Sequence, residues 1–194
     1  MSMATLIKNK RIAPDSWQPL KPAAEGGSLA LTLALTAGVP LTGDWIVPLA
    51  IWREQRTQWR GRSAADGPDA HWGVVLENTD DPRLLVEDFD SLALIAVRFP
   101  KFTDGRGYSI ARWLRRLGWN GELRAVGDVQ RDQLFYMTRC GFDAFALRED
   151  QDPQLALTAF SDFSAPYQPA IDDGVRLGTV RAARTAAVNT PNPW

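Results

Sequence analysis

The sequence predicts an α/β domain. Alternating βα units form a mainly parallel sheet of about five strands, open or closed part-way like a barrel, with an irregular N-terminal arm. Three observations predict it. The run SLALIAVRFP (Ser91–Pro100) is apolar at almost every position, as strands covered on both faces are. Strand-like runs alternate with helical ones at least four times, the mark of βαβ units and right-handed crossovers. Helix starts follow strand ends closely, with Asp-Pro pairs at Asp81–Pro82 and Asp152–Pro153, where Asp caps and Pro fits the first turn.

Taken in order, ATLIKNKRIA predicts a short extended pair with its turn near Asn9. Residues 1–43 are otherwise read as the arm, rich in Pro, Gly and Ala. DWIVPLAIW is a buried strand running into a turn, and WREQRTQWRGR a short helix. GRSAADGPDA has loop composition. Trp72–Asn78 is the second strand, and a short helix runs from Pro82 to about Glu87. The third strand is the Ser91–Pro100 run. From about Gly107 to Leu117, Ile110, Leu114 and Leu117 share a helical face, and Gly118 is a natural stop. GELRAVGDV is the fourth strand. Asp128 is expected to cap a helix from about Val129 to Cys140, with FDAFAL as the fifth strand and PQLALTAF as a closing helix. The α/β domain is read as residues 44–170, and residues 171–194 as a mobile tail.

Composition narrows the partners. The chain has 194 residues, is 45% hydrophobic and 23% charged, and carries a net charge of −1. That balance argues against nucleic acid, whose phosphates call for a basic surface. One cysteine (Cys140) and one histidine (His71) exclude a disulfide framework, a thiolate cluster and a multi-histidine metal site. No metal and no evident cofactor are expected. The apolar run Ser28–Leu41 is interrupted by Thr32, Thr36, Gly38 and Pro40 and falls short of the roughly 20 residues that span a bilayer. With no signal-like N-terminus, the expectation is a cytoplasmic protein.

Ligands of parallel α/β sheets bind at the carboxyl ends of the strands. The third strand end is the most informative. In FPKFTDGRGYSIARWLRRLG, Lys101, Thr103, Asp104, Arg106 and Gly107 surround a helix start, whose free N–H groups and partial positive charge favour anions. The competing reading is a tight turn in which Asp104 and Arg106 pair with each other. The segment is not a dinucleotide fingerprint, because the third glycine would fall at Ile110, and there is no Walker loop. Asp128 and Arg131 follow the fourth strand and are expected to face the Lys101–Arg106 loop. A carboxylate among basic groups stays ionised, which suits orienting a ligand better than general-base work. Cys140 reads as a buried core residue, and His71 as a solvated or capping one.

FPKFTDGRGYSIARWLRRLG, GELRAVGDVQRDQLFYMTRCGFDAFALRED and SDFSAPYQPA resemble one bacterial family, the domain of unknown function 934, from about Asp44 to Ala170. The opening LIKNKRIAPDSW resembles that family's start. Its members often carry an oxidoreductase label and sit beside genes for sulfite reductase and other steps of assimilatory sulfate reduction. The resemblance implies a role in sulfur assimilation and assigns no role to individual residues.

Three functions follow as expectations. The first is an accessory protein of sulfite and sulfate reduction that binds a small oxyanion or docks on sulfite reductase. The second is an oxidoreductase of that pathway, as the family label has it, for which the residues leave open only a flavin held by backbone contacts. The third is a lyase or isomerase using Lys101 with Asp104 or Asp128, once desolvation lowers the lysine's pKa. Lys101, Asp104 and Asp128 are the catalytic candidates. Lys101, Thr103, Arg106, Gly107 and Arg131 are the ligand-binding ones.

Overall fold

The computed structural model describes residues 5–20, 43–59 and 70–163. β1 (Leu6–Lys8) and β2 (Arg11–Ala13) form a hairpin. Asn9 and Lys10 turn it with φ of 50° and 61°, the left-handed pair a two-residue hairpin turn requires. β3 (Gln18–Pro19) and β4 (Gly43–Pro48) follow, then α1 (Leu49–Trp59) and β5 (Ala70–Leu76). A 3-10 helix over Pro82–Ser91 leads to β6 (Leu94–Phe99), α2 (Arg106–Arg116) and β7 (Glu122–Gly127). A 3-10 turn at Arg131–Gln133 runs into α3 (Leu134–Arg139), followed by β8 (Ala144–Ala146) and α4 (Pro153–Thr158).

The strands form one open, curled sheet in the order β2-β1-β8-β7-β6-β5-β4-β3. From β3 to β8 neighbours are parallel and consecutive in sequence. β1 joins β8 antiparallel. The strand order therefore never reverses within the parallel part, and right-handed crossovers bring the described helices to one face. Strand residues Val47, Val74, Ile95, Val97 and Leu123 bury against Trp52, Leu85, Leu114 and Met137 there. Trp59 and Trp72 stack at 4.4 Å where α1 covers β5. The opposite face carries a much smaller apolar group of Ile46, Val75, Leu94 and Ala96, with Trp17 and Val126 against it. Trp17 reaches this face because Gly73 has no side chain: a Cβ there would sit 3.0 Å from the Trp17 ring.

Several expectations are met. The five expected strands are β4 to β8, and the helix expected near Gly107–Leu117 is α2. Asp81 and Asp152 cap as expected, accepting from Arg83 N and from Gln154 N. Others are corrected. The sheet has eight strands and is mixed: the expected N-terminal pair is β1 and β2, which joins the sheet through antiparallel β1 on β8, and β3, two residues long, is too short to show a period. The first helix begins at Leu49, directly after Pro48, so LAIW is helical. Asp128 caps no helix: Gln130 takes that place through a reciprocal capping box with Gln133, and regular helix starts only at Leu134. Ser28–Leu41, most of GRSAADGPDA and the tail after Ala170 lie outside the described residues.

Candidate functional site

The carboxyl ends of β6, β7 and β8 meet in one rim, knitted by Asp128. Its Oδ2 accepts from Phe102 N at 2.9 Å, and its Oδ1 accepts from Arg148 at 2.8 Å and from Gln130 Nε2 at 3.1 Å. Buried Gln133 donates to Phe102 O at 2.8 Å. Residue 102 is thus held through both its backbone groups. Gly127 makes this possible: its φ of 98° suits glycine, and a Cβ would collide with Phe99 O. Asp128 N then bonds Phe99 O at 2.8 Å.

Within the loop, Asp104 and Arg106 pair with each other. Arg106 donates from Nε at 3.0 Å, from a terminal nitrogen at 2.7 Å and from its backbone N at 3.1 Å. Asn78, at the end of β5, donates to Asp104 as well. These bonds, Arg106's first, hold the Asp104 carboxyl well below the usual carboxylate range. Asp128 is lowered too, chiefly by Gln130 and the Phe102 N–H, then by Arg148. Both stay ionised at neutral pH.

The expected site residues are therefore only partly brought together. Asp128 touches the Lys101–Arg106 loop through its backbone. Arg131 turns away, bonding Thr158 at 2.9 Å and Asp162 at 2.8 Å. Gly107 packs on the Phe99 ring, where a Cβ would lie 2.5 Å away, so its small size serves helix–strand contact. Lys101 and Thr103 are exposed, and Phe102 is 51% exposed. The Lys101 side chain has no ion pair with a described residue. Tyr108 is half-buried beside Phe99 and Tyr136, and burial pushes its phenol up to about 12. Cys140 is buried, and exposed His71 bonds Asp44 at 2.8 Å. Among the described residues no group of histidines, cysteines and carboxylates could hold a metal, and no helix is long and apolar enough to cross a membrane.

A second feature lies on the sheet face opposite the helices. A cavity of about 340 Å³ opens between the arm residues Asp15, Trp17 and Pro19 and a floor that includes Val75, Ala96, Val126 and Ala146, with Arg98 and Arg124 on its wall. Arg124 is 2% exposed and fully engaged. It bonds Glu122 at 2.7 and 2.8 Å and both Asp15 oxygens at 2.9 and 3.0 Å. Lys8 reaches Glu122 at 2.6 Å, so two cations meet two carboxylates. The sequence held a signal for this feature. Arg98 and Arg124 interrupt apolar strands, and the two-residue period places Arg98 with Ala96, away from Val97 and Phe99.

The family model described as a bacterial protein of unknown function (DUF934) matches residues 73–177, over half of the chain. The chain belongs to this family. No curated protein and no solved structure matches the chain. The DUF934 match takes in the rim residues 99–106, 128 and 148, together with Arg98 and Arg124. It begins at Gly73, so Asp15, Trp17 and Pro19, which wall the cavity, come from outside it.

Proposed function

We propose that the chain is an accessory protein of assimilatory sulfite and sulfate reduction, serving cysteine biosynthesis, that docks on sulfite reductase through the loop Pro100–Arg106. One observation carries the docking: a loop fixed through both backbone groups of residue 102 presents to solvent an aromatic ring and a lysine that pairs with no described residue. A rigid aromatic loses little freedom on association and makes an efficient anchor. The pathway comes from the family resemblance.

Binding is favoured over catalysis because Asp104 and Asp128 are held ionised by arginine and backbone donors. Neither has the pKa near neutrality that general acid–base work calls for. A lyase or isomerase role for Lys101 would need a desolvated lysine, and Lys101 is exposed. The oxyanion form of the proposal retains Lys101 and Thr103, since Arg106 is occupied by Asp104 and Arg131 points elsewhere. Co-purification of the tagged full chain with sulfite reductase from cells tests the reading. Recovery of the reductase, lost with Phe102→Ala, supports docking. Equal recovery with the variant places the contact elsewhere and defeats it.

A further inference from the structure

We propose that the cavity on the face opposite the helices binds a small organic monoanion, a carboxylate or sulfonate on a compact apolar body. The proposal is independent of docking at the rim.

The wall's hydrogen-bond balance sets the sign. Asp15 is satisfied, accepting from Arg124 and from Trp17 N at 3.2 Å. Arg98 uses only Nε, donating to Glu77 at 2.8 Å. Its two terminal nitrogens bond no described residue. Among the described residues the cavity thus has donors to spare, in the planar fork that matches carboxylate and sulfonate oxygens. A cation would find its carboxylates already taken.

Shape sets the body. The floor is apolar, and Ala96 and Ala146 leave room where larger strand residues would fill it. The volume lies at the small end of ligand sites, which are roughly 300–1,000 Å³ and mostly apolar with a few polar groups. Trp17 forms one wall. Arg124 is a positioning residue: it fixes Asp15, which in turn holds Trp17 N. Glu77 competes for the Arg98 fork, so an incoming anion shares the guanidinium with it.

Calorimetric titration of the full chain at neutral pH, with benzoate, benzenesulfonate, benzyl alcohol and inorganic sulfate, tests the proposal. One of the two aromatic anions is expected to saturate a single site. Benzyl alcohol, which lacks the charge, and sulfate, which lacks the body, should bind at least tenfold more weakly. The tighter of the two anions identifies the head group. Arg98→Met should weaken binding at least tenfold, Ala146→Leu should block it, and Glu77→Gln should tighten it several-fold. Both arginine and glutamate changes are at half-exposed side chains, and an unchanged melting temperature confirms their folding. Equal binding of benzyl alcohol, unchanged affinity in Arg98→Met, or no saturation by either anion up to millimolar concentration would overturn the proposal.

Discussion

Gly127, Gly107 and Arg124 set the geometry of the two sites more than the residues that face solvent. Gly127→Ala would combine a positive φ with a collision against Phe99 O. Nothing there can give way, since the obstacle is backbone. A loss of roughly 3 kcal/mol is expected, from strain and overpacking together, read by urea denaturation. Gly107→Ala meets a ring that can shift, so its cost should be smaller, about 1–2 kcal/mol. Arg124→Met strands Asp15 and partly strands Glu122. About 3 kcal/mol should be lost, the low end for breaking a buried pair, because Lys8 still faces Glu122. These roles were only half legible in the sequence. Gly107 reads as a ligand-binding residue at a helix start, and what packs against it is Phe99. A glycine's spacing marks a close contact but does not name the group that makes it.

At the scale of elements, the rim is a set of loops tied by carboxylates. Asp104, Asp128 and Asp150 are all lowered by their hydrogen-bonding partners. A carboxyl with a lowered folded pKa contributes stability above its unfolded value, near 3.9. That contribution is lost as pH falls through the folded pKa. Asp143 runs the other way: burial raises it despite Arg115, so protonation on acidification favours the fold there. Thermal melting should therefore fall progressively below about pH 4. Asp104→Asn should lower the melting temperature at neutral pH and flatten the acid limb. An acid limb as steep as in the parent chain would contradict the assignment. The residues alone leave two readings of this turn open, an anion site at Lys101 and Arg106 or a pair between Asp104 and Arg106, and the pair is the one that forms. Backbone geometry decides, by placing the Arg106 N–H and guanidinium on the same carboxylate.

For the whole molecule, strand type and order separate what was legible from what was not. β4 to β8 announced themselves through apolar runs, and their alternation with helices predicted parallel pairing. The strand order β3 to β8, consecutive and without reversal, was not legible, because apolar runs covered on both faces read alike in an open sheet and a barrel. That order brings the described helices to one face, and the cavity lies on the other. Its wall depends on Asp15 and Trp17, which lie about a hundred residues from Arg124, in an arm with no period of its own. The rim was located from local pattern alone, while the cavity needed tertiary placement.

The central claim is that the fixed loop carrying Lys101 and Phe102 is the docking element. Equilibrium binding of the purified chain to purified sulfite reductase tests it most directly. The account predicts saturable binding, weakened at least tenfold by Phe102→Ala and by Lys101→Glu with melting temperatures unchanged, and unaffected by Arg98→Met. Absence of binding, or equal affinity for all four proteins, would contradict it.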